Sequence, residues 1–193
     1  MSQTMRKERI VWVLLGMALL FFGQVGQAVA TADVSAGNLL LDAPTAAVGI
    51  IKSGGDRLIH RYGTANFFAG KNAGNLTTTG TYNVGVGESA LTSLTTGFSN
   101  MATGSFSLYK NLSGAGNTAA GYAALYTNTT GSSNTATGSF SLYKNLSGVG
   151  NTAAGYAALY PNTGDYNTAA GAYSLHKNLS GAGNTAAGVL RSL

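Results

Sequence analysis

Apolar and polar positions along this chain follow neither a helical period nor a simple strand alternation; they recur in columns 17 residues apart. Leucine stands at Leu91, Leu108, Leu125, Leu142, Leu159 and Leu175, and alanine at Ala102, Ala119, Ala136, Ala153, Ala169 and Ala186. The polar columns keep the same step. Asparagine occupies Asn66, Asn83, Asn100, Asn117, Asn134, Asn151, Asn167 and Asn184, with one step of 16 before Asn167. Glycine follows each of these by four residues, at Gly70, Gly87, Gly104, Gly121, Gly138, Gly155, Gly171 and Gly188. A second asparagine column runs through Asn111, Asn128, Asn145, Asn162 and Asn178. The consensus is N-T-A-x-G-x-x-A/S-L-Y-x-N-x-x-G-x-x. Within each repeat, N-T-A-A-G and Y-A-A-L-Y are β-compatible pieces separated by Asn/Gly turns, which predicts two short strands and two turns per coil.

A longer period of 34 residues lies over the first: Ala102 to Gly114 is identical to Ala136 to Gly148, and Asn117 to Tyr126 repeats unchanged as Asn151 to Tyr160. Helical repeats share that length, but each glycine costs a helix about 1 kcal/mol and no 3.6-residue apolar stripe survives. The pattern therefore predicts an all-β fold, a parallel β-solenoid of about seven 17-residue coils over residues 66–193. Coils stacked about 4.8 Å apart would bring asparagine amides into hydrogen-bonded ladders and leucines into a line, along a rod of roughly 35 Å. The glycine columns mark corners that need positive φ or close backbone approach. The alanine column implies a narrow interior whose one large contribution is leucine, each worth about 1.5–3 kcal/mol when fully buried. So thin a monomer gains from side-by-side association.

Ahead of the array, residues 1–30 have the form of a signal peptide: basic Arg6, Lys7 and Arg9, the apolar run Ile10 to Phe22 as its helix, and Ala28-Val29-Ala30 before a cleavage site. Residues 31–65 form a lead-in to the array. Without the leader, eight basic and five acidic residues remain, and the basic ones are scattered singly, which argues against a nucleic-acid partner. Cysteine is absent, so neither a disulfide framework nor a thiolate metal site stabilises the exported chain.

The N-T-A-x-G-x-x-A-L-x-x-N-x-x-G pattern from Asn66 to Leu193 resembles the head repeats of bacterial trimeric autotransporter adhesins and of related tail-fibre-like surface proteins. The segment Gly49 to Gly63 is similar to the hairpin that precedes such arrays. The resemblance implies a left-handed parallel β-roll, a homotrimer, and a protein on or released from the cell surface that binds glycan or extracellular matrix. It departs in lacking the coiled-coil stalk, the outer-membrane anchor and the self-cleaving chaperone of those families. The columns slip at Gly188 to Leu193, so the array is expected to end in mid-coil.

Candidate chemistry is sparse. Tyr109, Tyr126, Tyr143 and Tyr160, continued by His176, form an aromatic column, with Lys110, Lys144 and Lys177 beside it on alternate coils. Such a face can hold sugars or partner proteins, although stacked aromatics also simply stabilise a solenoid. The threonine column Thr118, Thr135, Thr152, Thr168 and Thr185 suggests an ice-ordering surface or a plain ladder. Asp33, Asp42, Asp56, Glu88, Asp165, His60 and His176 fall in no catalytic or metal-ligand spacing, so no enzyme, cofactor or metal is expected. Gly-x-Gly-Asn turns, such as Gly114 to Asn117, lack the helix and lysine of a phosphate loop. Two function classes follow: an adhesin or fibre head for attachment, and a secreted curli-like self-assembling fibre subunit.

Overall fold

Each sequence column becomes a ladder in the structure, a computed structural model that describes residues 50–53 and 55–189. The expected signal peptide, residues 31–49 of the lead-in and the last four residues lie outside the described residues. Ten strands make one sheet whose order follows the chain. They are β1 (Ile50–Ser53), β2 (Asp56–His60), β3 (Phe67–Ala69), β4 (Val84–Val86), β5 (Met101–Thr103), β6 (Thr118–Ala120), β7 (Thr135–Thr137), β8 (Thr152–Ala154), β9 (Thr168–Ala170) and β10 (Thr185–Ala187). The expected hairpin is β1 and β2, paired antiparallel, and β2 pairs antiparallel with β3. From β3 to β10 all pairing is parallel and in register, so Ala102 faces Ala119, Ala119 faces Ala136, and so on down the array. The described residues are all-β and form the expected solenoid.

The second strand expected in each coil is absent, and the reason lies in the backbone. In Y-A-A-L-Y the second and fourth residues take left-handed φ: Ala123 at 53° and Leu125 at 52°, Ala157 and Leu159 at 50°. Residues of alternating hand curl the chain instead of extending it. Ala123, Ala124 and Leu125 are therefore buried one after another, which a strand, with successive side chains on opposite faces, cannot do. A left-handed leucine costs about 1–2 kcal/mol, a strain offset by complete burial of the side chain at about 1.5–3 kcal/mol. Leu91, Leu108, Leu125, Leu142 and Leu159 are all fully buried, and Leu175 packs against them part-exposed. Backbone groups of the curled segment bond to the next coil, as Leu108 N–H does to Ala124 O at 3.0 Å and Leu125 N–H to Ser141 O at 3.0 Å.

The leucine column is not the interior's one large contribution, as expected from the sequence, because Phe68 and Leu94, both outside it, fill the core at its upstream end. Much of the remaining interior is polar. The first asparagine column forms a ladder in which the buried amides, Asn66 to Asn167, are saturated. Asn117 Nδ2 donates to Asn100 Oδ1 at 3.1 Å and to Gly131 O at 2.8 Å, while its own Oδ1 accepts from the Asn134 N–H at 3.0 Å and Asn134 Nδ2 at 3.1 Å. Two donors and two acceptors are thereby all used, so a buried amide carries no desolvation penalty left uncompensated. The second column forms a parallel ladder beside it, with Asn128 Nδ2 donating to Asn111 Oδ1 at 2.9 Å and to Gly131 O at 2.8 Å, the same carbonyl that accepts from Asn117.

The 16-residue step falls between the second asparagine and its glycine. Asn162 Nδ2 reaches Gly164 O, two residues on, at 2.9 Å, where Asn145 Nδ2 reaches Gly148 O, three residues on, at the same distance. Shortening a corner leaves both ladders in register.

A hairpin closes the upstream end. Its buried His60 donates from Nε2 to Ala73 O at 2.8 Å, accepts the Tyr62 N–H at Nδ1 (3.3 Å) and packs on Phe68 with ring centroids 4.9 Å apart. That arrangement needs the neutral ring: burial, with the nearby Arg57 charge, holds the His60 pKa below the ordinary histidine value, against the pull of the Ala73 carbonyl. A lowered folded-state pKa means stability is lost as pH falls through the unfolded value, about 6.5. Hydrogen exchange at Gly70, whose N–H bonds to Leu58 O at 2.7 Å, is expected to lose protection between about pH 7.5 and 5.5. The amide of Gly138, which bonds within the array to Ala120 O at 2.8 Å, should not.

Candidate functional site: an aromatic face with two ladders

The curled segments stack to make one side of the solenoid, and the tyrosine column lies on it. Tyr109, Tyr126, Tyr143 and Tyr160 are stacked nearly parallel, with centroids 5.0, 5.0 and 5.1 Å apart, and His176 continues the stack at 5.7 Å. Ring faces are covered by neighbouring rings, so this column offers edges and hydroxyls to solvent. Burial in the stack, helped by the Tyr126 and Tyr160 phenols, raises the Tyr143 pKa, which keeps its hydroxyl uncharged beyond the ordinary phenol range. Lys110 and Lys144 lie exposed on this ladder, each ammonium over the tyrosine of the following coil: Lys110 Nζ is 5.8 Å from the Tyr126 centroid and Lys144 Nζ 6.0 Å from that of Tyr160. Lys177 is exposed in the same column, its backbone left-handed at φ 71°.

Beside this stack runs a second aromatic ladder that the column analysis missed. Phe106, Tyr122, Phe140, Tyr156 and Tyr173 meet edge to face, with centroid separations from 5.3 to 5.9 Å. They escape a 17-residue alignment because they alternate between two columns. Tyr122 and Tyr156 follow the corner glycine directly, whereas Phe106 and Phe140 stand one residue later, and small residues fill the vacated places: Ser105, Ala123, Ser139 and Ala157. Offsetting the rings lets them pack edge-on, the favoured aromatic geometry, at a coil spacing of about 4.8 Å. The 34-residue period was the signal for this ladder, since it exists to alternate large and small.

The alternation opens a cleft of about 280 Å³ over Ala157, lined by Phe140, Tyr156, Tyr160, Tyr173 and His176. The related rings one unit upstream, Phe106, Tyr122, Tyr126, Phe140 and Tyr143, make corresponding contacts around Ala123. No family model, curated protein or solved structure matches this chain. The chemistry of this face is apolar ring walls, phenol hydroxyls and one ammonium per two coils.

Other expected positions fall elsewhere. The threonine column forms the first position of β6 to β10 and points outward, but upstream it gives way to Met101 and Val84, and the next outward column mixes Thr103 and Thr137 with Ala120, Ala154, Ala170 and Ala187. Among the described residues no three His, Asp or Glu side chains gather closely enough to hold a metal ion. Asp56 is bridged to Lys71 at 3.1 Å, and Asp165 accepts the Val149 N–H at 2.8 Å on the corner leading to β9.

Proposed function

We propose that this chain is an exported, non-enzymatic attachment module of the adhesin-head or fibre-head kind, whose solenoid, left-handed and associated as a homotrimer, presents the aromatic face to glycan or matrix at a cell surface. The observation that carries this reading is the pair of aromatic ladders side by side over five coils, because equivalent aromatic positions repeated on a stiff support favour multivalent engagement of an extended partner. Export follows from the leader-like residues 1–30 and fits a stability that rests on amide ladders without disulfides. Trimer formation would cover apolar groups that a single thin solenoid leaves in water, such as Leu112, Leu146 and Leu179, which recur two coils apart and are each at least 42% exposed.

The secreted chain is expected to give a constant trimer mass by light scattering over days and to bind on glycan or matrix arrays. Tyr122→Ser with Tyr156→Ser should abolish that binding and leave the fold intact, since serine already holds this column at Ser105 and Ser139. Unlimited growth into thioflavin-positive fibres would replace the reading with a curli-like one, and thermal hysteresis without array binding would replace it with ice binding through the threonine column.

A further inference from the structure

We propose that the aromatic face takes a linear polysaccharide carrying one acidic group per disaccharide, laid along the solenoid axis; this rests on the attachment reading above and names its ligand class. The binding unit is two coils. Each unit supplies one set of edge-to-face rings around a small residue, Ala123 or Ala157, open as a cleft over Ala157, and one ammonium, that of Lys110 or Lys144, placed over the tyrosine that borders the set. Two coils rise about 10 Å, which is the axial length of a disaccharide in an extended β-linked chain. An extended peptide advances about 6.8 Å in two residues and falls out of phase with the ring sets after one unit. A sugar with its acetamido or ring C–H face in the cleft would set the acidic group of its neighbour beside the lysine, and the next disaccharide would repeat both contacts without strain.

Charge on this face favours an anion. Among the described carboxylates, Asp56 is bridged to Lys71, Asp165 sits on the corner before β9, and Glu88 occupies the coil ahead of the first aromatic one. Between Phe106 and His176 the described side chains contributing charge to the curled segments are lysines alone. The tyrosine hydroxyls offer donors to carboxylate or hydroxyl oxygens between successive ammonium groups, and burial, by raising the Tyr143 pKa, keeps that hydroxyl a donor. A polyproline-like helix repeats about every 9.3 Å and would also fit the ring sets, but it brings no anion for each lysine.

The test uses the full secreted chain and three probes: hyaluronan hexasaccharide, with one carboxylate per disaccharide; chitohexaose, its neutral counterpart; and a collagen-like Pro-Pro-Gly triple-helical peptide. Hyaluronan is expected to bind, and to be weakened strongly in about 1 M sodium chloride, where the Debye length is about 3 Å. Lys110→Gln with Lys144→Gln should lower its affinity about a hundredfold, about tenfold for each charge-assisted contact, with the circular dichroism unchanged. Equal binding of chitohexaose, or no effect of the double variant, overturns the acidic-chain proposal and leaves glycan attachment standing. Binding of the triple-helical peptide alone overturns it in favour of a protein matrix ligand. Failure of all three probes, together with blank arrays, overturns the attachment reading as well.

Discussion

Asn134→Asp is expected to destabilise the solenoid by about 3–5 kcal/mol at pH 7, although it changes one amide nitrogen for oxygen. Asn134 is fully buried, and its Nδ2 donates to Asn117 Oδ1 at 3.1 Å and to Gly148 O at 2.7 Å. A carboxylate places a charged acceptor against both of these acceptors, while its other oxygen still receives the Asn151 N–H and Nδ2 that Asn134 Oδ1 holds at 2.9 and 3.2 Å. Burial and oxygen–oxygen repulsion raise the folded-state pKa of the introduced acid, so the unfolded state releases its proton first. The penalty therefore grows as pH rises above the ordinary carboxyl value of about 3.9 and recedes on acidification, when the protonated group donates one bond again. Denaturant unfolding at about pH 7 and about pH 4 should show the variant approaching wild type at the lower pH. Equal stability at both would mean that the ladder contributes no specificity at this position.

Gly138→Ala is the second large effect, expected at about 3 kcal/mol or more from backbone strain and overpacking together. Gly138 has φ 118°, and an added Cβ would stand 2.7 Å from Gly155 O in the next coil. That contact is with backbone, which cannot rotate aside, and the two coils are held together by the ladders on either side. Gly116→Ala is the control: φ there is also positive, at 65°, but nothing lies closer than 3.8 Å and the column already carries Ser133 and Tyr166 in the same conformation. It should cost only about 1–2 kcal/mol. Thermal unfolding separates the two, and hydrogen exchange on the Gly138 variant should show coils parting at that level, as expected where each coil contacts only its neighbours.

Both predictions follow from columns, and the columns were legible before the structure. A residue that recurs every coil in a stacked repeat meets its own copy, so asparagine announced an amide ladder, glycine a corner and leucine a core line. The hairpin before the array was expected only through the resemblance of Gly49 to Gly63 to the lead-in of adhesin-head arrays. Less legible was the curled segment. Y-A-A-L-Y has strand composition, and only the need to bury three successive residues in a narrow interior, with backbone groups bonding to the adjacent coil, forces Ala123 and Leu125 into left-handed conformations. Propensity describes isolated segments and cannot register a demand imposed by the neighbouring coil.

The candidate site divides along the same line. Tyr109, Tyr126, Tyr143 and Tyr160 share a column and were found as one, and Lys110 and Lys144 were placed beside them on alternate coils. Phe106, Tyr122, Phe140 and Tyr156 are one ladder in space but two columns in sequence, so their contact was hidden until the backbone brought the offset positions together. By itself, then, the sequence determined the repeat, the coil stacking, the amide ladders and the position of every corner, because identical residues at a constant step can satisfy one another only by lying in register. Tertiary structure alone decided that one strand per coil suffices, that two aromatic ladders lie side by side and border a cleft over Ala157, and that Lys110 and Lys144 lie over the next coil's tyrosine. Those features depend on contacts between unlike residues of different coils, and a period along the chain records only how often a residue recurs, not which way its side chain is turned.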